Sequence, residues 1–215
     1  MESSTRVTDE HFRYIASRTT PEDAFLSDLK KAAAAEGIPS IWIAPEQASF
    51  MQILLRAAGA RQVVEVGTLA GYSAIAMARA LPQDGKVRTI EIEPRHADFA
   101  RRWVARSDVA GKVEVLLGGG MDVLPGLAAD SADAAFLDAD KSSYALYLAE
   151  ALRIVRRGGL IMVDNAFAFG QLLDPAATDR EVPAVRAFNE LMAKTAALQS
   201  VIVPIGDGLW VGVRR

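Results

Sequence analysis

Asp138-Ala139-Asp140-Lys141 places two carboxylates and an ammonium in one short stretch, directly after the apolar run Ala132–Leu137. Charges in such a setting are costly to withdraw from water unless something pairs them. Asp164-Asn165 follows a second apolar run, Gly159–Val163, and adds a carboxylate and an amide oxygen. These are hard oxygen ligands suited to Mg2+, Mn2+ or Ca2+, and so small a set leaves coordination positions for water or a substrate. Each pair also has a plainer reading: Asp138 with Lys141 as a surface ion pair, Asp164-Asn165 as a turn. Their joint occurrence after adjacent apolar runs favours one shared site.

A glycine-bearing segment, Glu65-Val66-Gly67-Thr68-Leu69-Ala70-Gly71-Tyr72-Ser73, is the second candidate. Gly67 and Gly71 let the backbone turn sharply and approach a ligand closely. The spacing is G-x-x-x-G, without the middle glycine of G-x-G-x-x-G, which argues against a pyrophosphate and so against a nicotinamide-dependent oxidoreductase. Nor does the sequence offer a Ser-Tyr-Lys or histidine-based hydride site. Glu65, just before the loop, suits a cationic or amine-bearing ligand. Glu91 lies about 20 residues beyond Gly71, where a carboxylate can accept from both hydroxyls of a ribose; Glu93 is its near competitor.

The pattern around these residues supplies elements to position them. Up to Ala58 the chain reads as helical, with segments near Thr8–Ser17, Pro21–Glu36 and Pro45–Ala58. Pro21 and Pro45 suit first helical turns, and Gly37 and Gly59 follow helix ends. Ile38–Ala44, which includes Trp42, is an apolar loop. From Arg61 strands and helices alternate. The strands are Gln62–Val66, Lys86–Ile92, Lys112–Leu117, Ala132–Leu137 and Gly159–Val163; the helices are Tyr72–Leu81, Pro94–Arg106, Met121–Ala128 and Ser142–Arg156. A helix at Val182–Ala197 leads to Gln199–Val203 and Leu209–Val213, joined through Gly206-Asp207-Gly208 as a hairpin. The series predicts an α/β fold with a mostly parallel sheet, helices on both faces and one antiparallel strand near the edge. Glu65-Val66-Gly67, Glu91, Gly118-Gly119-Gly120, Asp138 and Asp164-Asn165 all fall at strand C-termini. Open α/β sheets bind ligands there, where strand order reverses.

The composition excludes several classes. The chain has 215 residues, enough for one domain, and 24 basic against 27 acidic residues give a net charge of −3. Neither nucleic acid nor a membrane surface is suggested as a partner. There is no cysteine, hence no disulfide, thiolate nucleophile or sulfur-based zinc site. No signal-like segment or long apolar span is present, so a cytoplasmic protein is expected. His11, His96, Arg101-Arg102 and Arg156-Arg157 read as solvated groups on helices.

The motifs EVGTLAGYS (65–73), TIEIEP (89–94), FLDADKSSY (136–144), VDN (163–165) and IGDGLWVGVRR (205–215) resemble the small metal-dependent class I O-methyltransferases, the caffeoyl-CoA and catechol O-methyltransferase-like family. The likeness runs from about Ile38 to the C-terminus. It implies a Rossmann-like seven-stranded sheet of order 3-2-1-4-5-7-6 with strand seven antiparallel, an N-terminal helical cap (1–59) on a core (60–215) in one domain, and a homodimer. It further implies S-adenosylmethionine as cofactor. Glu65, Gly67, Tyr72 and Ser73 would line its methionine part, Glu91 would bind its ribose, and Gly118, Gly119 and Met121 would lie near the adenine. Thr68, Gly71, Asp138 and Asp140 would be further contacts. Asp138, Asp164 and Asn165 would hold a divalent cation, Mg2+ above Mn2+ or Ca2+, with Lys141 as general base. The expected reaction is methylation of a catechol-like or other vicinal-diol aromatic hydroxyl, helped by Lewis-acid activation of the acceptor.

The segment after Asn165 departs from the family. Many relatives carry a tryptophan a few residues on, whereas here the stretch is Ala166-Phe167-Ala168-Phe169-Gly170. Phe167 and Phe169, facing Trp42, are the expected walls for an aromatic acceptor. No basic cluster for a CoA phosphate is evident, so a small catechol is favoured over a hydroxycinnamoyl-CoA ester or a non-aromatic natural-product hydroxyl.

Overall fold

The computed structural model describes residues 7–215; residues 1–6 of the expected helical cap lie outside it. Three helices come first: α1 (Asp9–Arg18), α2 (Ala24–Ala35) and α3 (Pro45–Ala57). Pro45 occupies the first turn of α3, as its fixed φ favours. Pro21 does not do the same for α2. That helix begins three residues later, where the Asp23 side chain accepts from Leu26 N at 3.0 Å and so fixes the start.

The alternating part comprises β1 (Gln62–Val66), α4 (Tyr72–Ala80), β2 (Lys86–Glu91), α5 (Pro94–Arg106), β3 (Val113–Leu117), α6 (Gly120–Val123), β4 (Ala132–Leu137), α7 (Tyr144–Ile154), β5 (Val155–Val163), α8 (Val182–Lys194), β6 (Leu198–Val203) and β7 (Leu209–Arg214). The seven strands form one sheet of order β3-β2-β1-β4-β5-β7-β6. β7 pairs antiparallel with both β5 and β6, and the other pairings are parallel. Order reverses between β1 and β4, which places a crevice at their C-terminal ends.

Strand alternation divides the core in two. Val63, Phe136 and Met162 face the side covered by α2, α3, α4 and α5. Val64, Leu137 and Val163 face α7 and α8. Leu29 of α2 and Met51 and Leu55 of α3 are fully buried in the first cluster, so these helices pack into the core of the sheet; α1 buries no residue.

Besides the start of α2, the helix expected at Met121–Ala128 is only the short α6, and the boundary between α7 and β5 also differs from expectation. The helix expected to reach Arg156 stops at Ile154, and β5 begins at Val155 with a register shift against β4. Gly158 takes φ +76° within the irregularity. Arg156 is therefore no solvated helix residue: its Nε donates to Asp133 Oδ1 at 2.6 Å. Among the described residues no helix is long and apolar enough to cross a membrane.

Candidate functional site

A cleft of about 740 Å³ opens at the C-terminal ends of β1, β2, β4 and β5. Gly67, Thr68, Tyr72 and Ser73 line one side, Glu91 and His96 another, and Asp138, Asp140, Lys141 and Asn165 a third. Gly67 allows the loop to sit there. With φ +104° it lies so close to β4 that a Cβ would fall 1.8 Å from the Asp138 carbonyl oxygen.

Glu65 does not line the cleft: it is fully buried beneath the Gly67–Ser73 loop. Alternation along β1 turns its side chain toward α4, where Ser73 Oγ donates to Oε1 at 2.5 Å. The other oxygen, Oε2, is the one buried side-chain polar atom without a partner among the described residues. Burial pushes this carboxyl up to about 8 against the weaker pull of the Ser73 and Thr89 hydroxyls. A buried acid with a vacant oxygen fits a ligand that brings a cation or an N–H donor.

Glu91 is held from behind by backbone: Leu69 N donates to Oε2 at 2.7 Å and Glu93 N to Oε1 at 2.9 Å. His96 Nδ1 lies 3.8 Å from Oε1, so this histidine belongs to the cleft and is not a solvated helix residue. Asp140 accepts from Tyr147 OH at 2.6 Å and from Ser142 Oγ at 3.1 Å. Burial would raise its pKa, but these hydroxyls and Ser143 outweigh it and hold the carboxyl below its usual range.

The wall near α2 is built in layers. Tyr72 OH donates to Glu22 Oε2 at 3.0 Å, and Lys30 pairs with the same oxygen at 2.7 Å. The Lys30 ammonium lies 5.4 Å from the Tyr72 ring centroid and 5.9 Å from that of Trp42, so two cleft aromatics share one cation. Burial, and then the Glu22 charge, push the Tyr72 phenol well up.

Lys141 is buried, with Nζ 3.1 Å from Asp138 Oδ1 and 2.7 Å from Tyr144 OH. Asp164 is buried beside them, and Gln47 Nε2 donates to its Oδ1 at 2.8 Å. Burial and the Asp138 charge push the Asp164 carboxyl up. Asn165 Nδ2 donates to Asp207 Oδ2 at 3.2 Å, which leaves the amide oxygen as its free acceptor. Among the described residues no group of three or more His, Cys, Asp or Glu side chains could hold a metal. The candidate set is instead two carboxylates and an amide.

Several expected positions do not line the cleft. Gly71 caps α4, Gly119 caps α6, and Met121 is an exposed residue of α6; of the three residues expected near the adenine only Gly118 lines the cleft, joined by Gly120. Asp164 stands behind the lining, beside Asn165. Phe167 turns away, its ring against Gly208, while Phe169 and Trp42 line the mouth. Of the two phenylalanines expected to flank a substrate, only Phe169 lines the cleft, together with Trp42. The sequence reading missed Gln47, Tyr144, Tyr147 and Asp207. Only two carried a signal: Gln47 is a polar residue on the buried face of α3, and Asp207 is an acid between two turn glycines.

The O-methyltransferase family model matches residues 16–215. The chain belongs to the O-methyltransferase family. A catechol O-methyltransferase of Niastella koreensis is 37% identical over 205 residues, covering 94% of this chain and 90% of the relative. An O-methyltransferase from Bacillus cereus, solved in complex with SAH, superposes with a TM-score of 0.85 at 32% identity, covering 95% of this chain and 96% of that one. The Streptomyces achromogenes O-methyltransferase of tomaymycin synthesis, solved with SAM, gives a TM-score of 0.82 at 32% identity, with coverage of 95% and 96%. This O-methyltransferase has the sheet order and the antiparallel seventh strand that the resemblance implied.

Proposed function

We propose that this O-methyltransferase moves the methyl group of S-adenosylmethionine to a hydroxyl of a catechol-like or other vicinal-diol aromatic, with a divalent cation held by Asp138, Asp164 and Asn165. The observation that carries the reading is the meeting, at one cleft edge, of the Asp138–Lys141 pair with Asp164-Asn165, beside the Gly67–Ser73 loop.

The residues present fit both groups. The vacant Glu65 oxygen suits the amino end of the methionine moiety, and Glu91, braced by two backbone N–H groups, keeps acceptor capacity for ribose hydroxyls. Burial and the Asp138 charge raise the cost of ionising Asp164, a cost that a divalent cation would remove. The free oxygen of Asn165 completes a hard, three-oxygen set. When bound, the cation supplies Lewis-acid chemistry that favours an ionised acceptor hydroxyl, and the cofactor supplies the methyl group.

The chain does the rest. Lys141 Nζ, held between Asp138 and Tyr144, would take the hydroxyl proton when in its neutral amine form, becoming the ammonium. Trp42 and Phe169 hold the ring between them and exclude water, so the main contribution is alignment of the hydroxyl oxygen with the methyl carbon. A cytoplasmic homodimer is part of the same reading, and sedimentation of the purified chain tests the dimer. The central test is methyl transfer from S-adenosylmethionine to catechol with Mg2+ supplied and then removed by EDTA. Turnover that requires the cation supports the reading; turnover indifferent to EDTA, or retained at wild-type level by Asp164→Ala, overturns the cation's part in it.

A further inference from the structure

The Gly206-Asp207-Gly208 turn between β6 and β7 lies against the loop that carries Asn165. Both carboxylate oxygens of Asp207 are committed to that loop. Oδ2 accepts from Asn165 Nδ2 at 3.2 Å and from Phe169 N at 2.7 Å, and Oδ1 accepts from Gly170 N at 3.2 Å. Backbone bonds close the same contact, Ala166 N to Gly208 O at 2.8 Å and Phe167 N to Asp207 O at 2.9 Å. The loop needs this hold. Asn165, Ala168 and Phe169 have φ of 61°, 53° and 57°, a left-handed conformation that residues with a Cβ keep only where their surroundings over-determine it.

Gln47 reaches the same place from the other end of the chain. It lies in the first turn of α3 and is buried, and its donation to Asp164 Oδ1 fixes one oxygen of that carboxylate. It also packs on the hairpin: a Cβ at Gly206, whose φ is +54°, would fall 2.0 Å from Gln47 Oε1. The turn therefore touches the partner of Asp164 on one side and is itself the partner of Asn165 on the other.

We propose that Asp207 and Gln47 are positioning residues for the cation set, the first directing the Asn165 amide oxygen and the second one Asp164 oxygen, with the Gly206–Gly208 turn locking the two orientations together. The proposal rests on the cation reading above. Its physical basis is that groups bonded behind a ligand fix its orientation. Asp207 can accept only, so it selects the amide rotamer that leaves oxygen outward; Gln47 offers a donor to an oxygen otherwise free to rotate.

The test titrates Mn2+ alone into the wild-type chain, Asp207→Ala, Gln47→Ala and Gln47→Met, reading free Mn2+ by electron paramagnetic resonance. Binding of S-adenosylmethionine and the melting temperature are followed on the same preparations. Wild type is expected to bind Mn2+, and each variant to bind it about 10–100-fold more weakly with cofactor affinity unchanged. Gln47→Met, which keeps the volume without the donor, is expected to behave as Gln47→Ala does. Should Asp207→Ala fail to fold, the two Gln47 variants decide. Unchanged Mn2+ affinity beside a wild type that binds the ion overturns the positioning role and leaves the cation reading standing. Parallel loss of Mn2+ binding, cofactor binding and melting temperature assigns the residues to stability alone and overturns it as well. A wild-type chain that takes up no Mn2+ removes the cation reading and this inference together.

Discussion

Ser73 donates to one oxygen of Glu65 and leaves the second oxygen of that buried carboxylate without a partner. The consequence is a tension between stability and binding. Burial raises the carboxyl from 4.5 to about 8, so between those values the folded chain holds a proton that the unfolded chain has released. Stability of the unliganded protein therefore falls as pH rises through that window. Glu65→Gln is expected to flatten the fall and to melt higher than wild type at pH 8. In a chain of this size each kcal/mol is worth about 2–4 °C. The same variant is expected to bind S-adenosylmethionine more weakly by calorimetry. A melting profile against pH identical to wild type would show that Glu65 is not the titrating group.

Asp133 gives the opposite sign. Burial works against its ionisation, but Arg156, Arg61 N and Gln62 N all donate to it, and the net effect is a carboxyl held below its ordinary value of 3.8. Its contribution is complete above about 3.8 and is lost as pH falls through the lower folded value. Asp133→Ala unties the start of β1 from the β5 irregularity, and a loss of about 1–3 kcal/mol in urea denaturation is expected. Because the residue lies at the end of the sheet away from the cleft, cofactor affinity should not change.

Lys141→Ala removes the proposed proton acceptor and leaves the loop at Gly67 untouched. Turnover should drop by about 10²–10⁴-fold with cofactor affinity retained. Retention of wild-type turnover on catechol would take Lys141 out of the chemistry.

Trp42→Ala should raise the KM for an aromatic acceptor, because Trp42 and Phe169 are the aromatic side chains at the mouth of the cleft. Its effect on kcat should be small, since Lys141, the proposed proton acceptor, is held by Asp138 and Tyr144. A fall in kcat with KM unchanged would contradict the wall assignment.

Leu29→Ala probes the N-terminal helices. Leu29 is fully buried in the cluster that also holds Met51, Ile75 and Phe136, so a loss of about 2–5 kcal/mol is expected in equilibrium unfolding. A loss near zero would mean that α2 is dispensable to the core.

The parts legible from sequence were those written locally. Apolar runs ending in Gly67, Glu91, Asp138 and Asp164 gave the strands and the edge they share, because strand period and turn chemistry act over a few residues. Val155-Arg156 reads as the end of a helix because nothing local distinguishes it from one; the partner that Arg156 finds in β5 is Asp133, on the neighbouring strand. Pro21 looked like a helix start, and the Asp23 cap won. Phe167 and Phe169 are equivalent in sequence, and the left-handed residues between Asn165 and Gly170 decide which one faces the cleft. Gln47 and Asp207 were hidden for the simplest reason. Their partners lie 117 and 42 residues away, so no window along the chain contains both ends of either bond.

Sheet order also sets a timetable. β7, made last, lies between β5 and β6, and the turn that holds Asn165 directly precedes it. During synthesis Asp138, Lys141 and Asp164 emerge well before the residues that steady Asn165. A nascent chain can thus complete the Gly67 loop while the edge that carries Asp138 and Asn165 is still unassembled. Removing residues 204–215 would take away both the turn that holds Asn165 and the strand that joins β5 to β6.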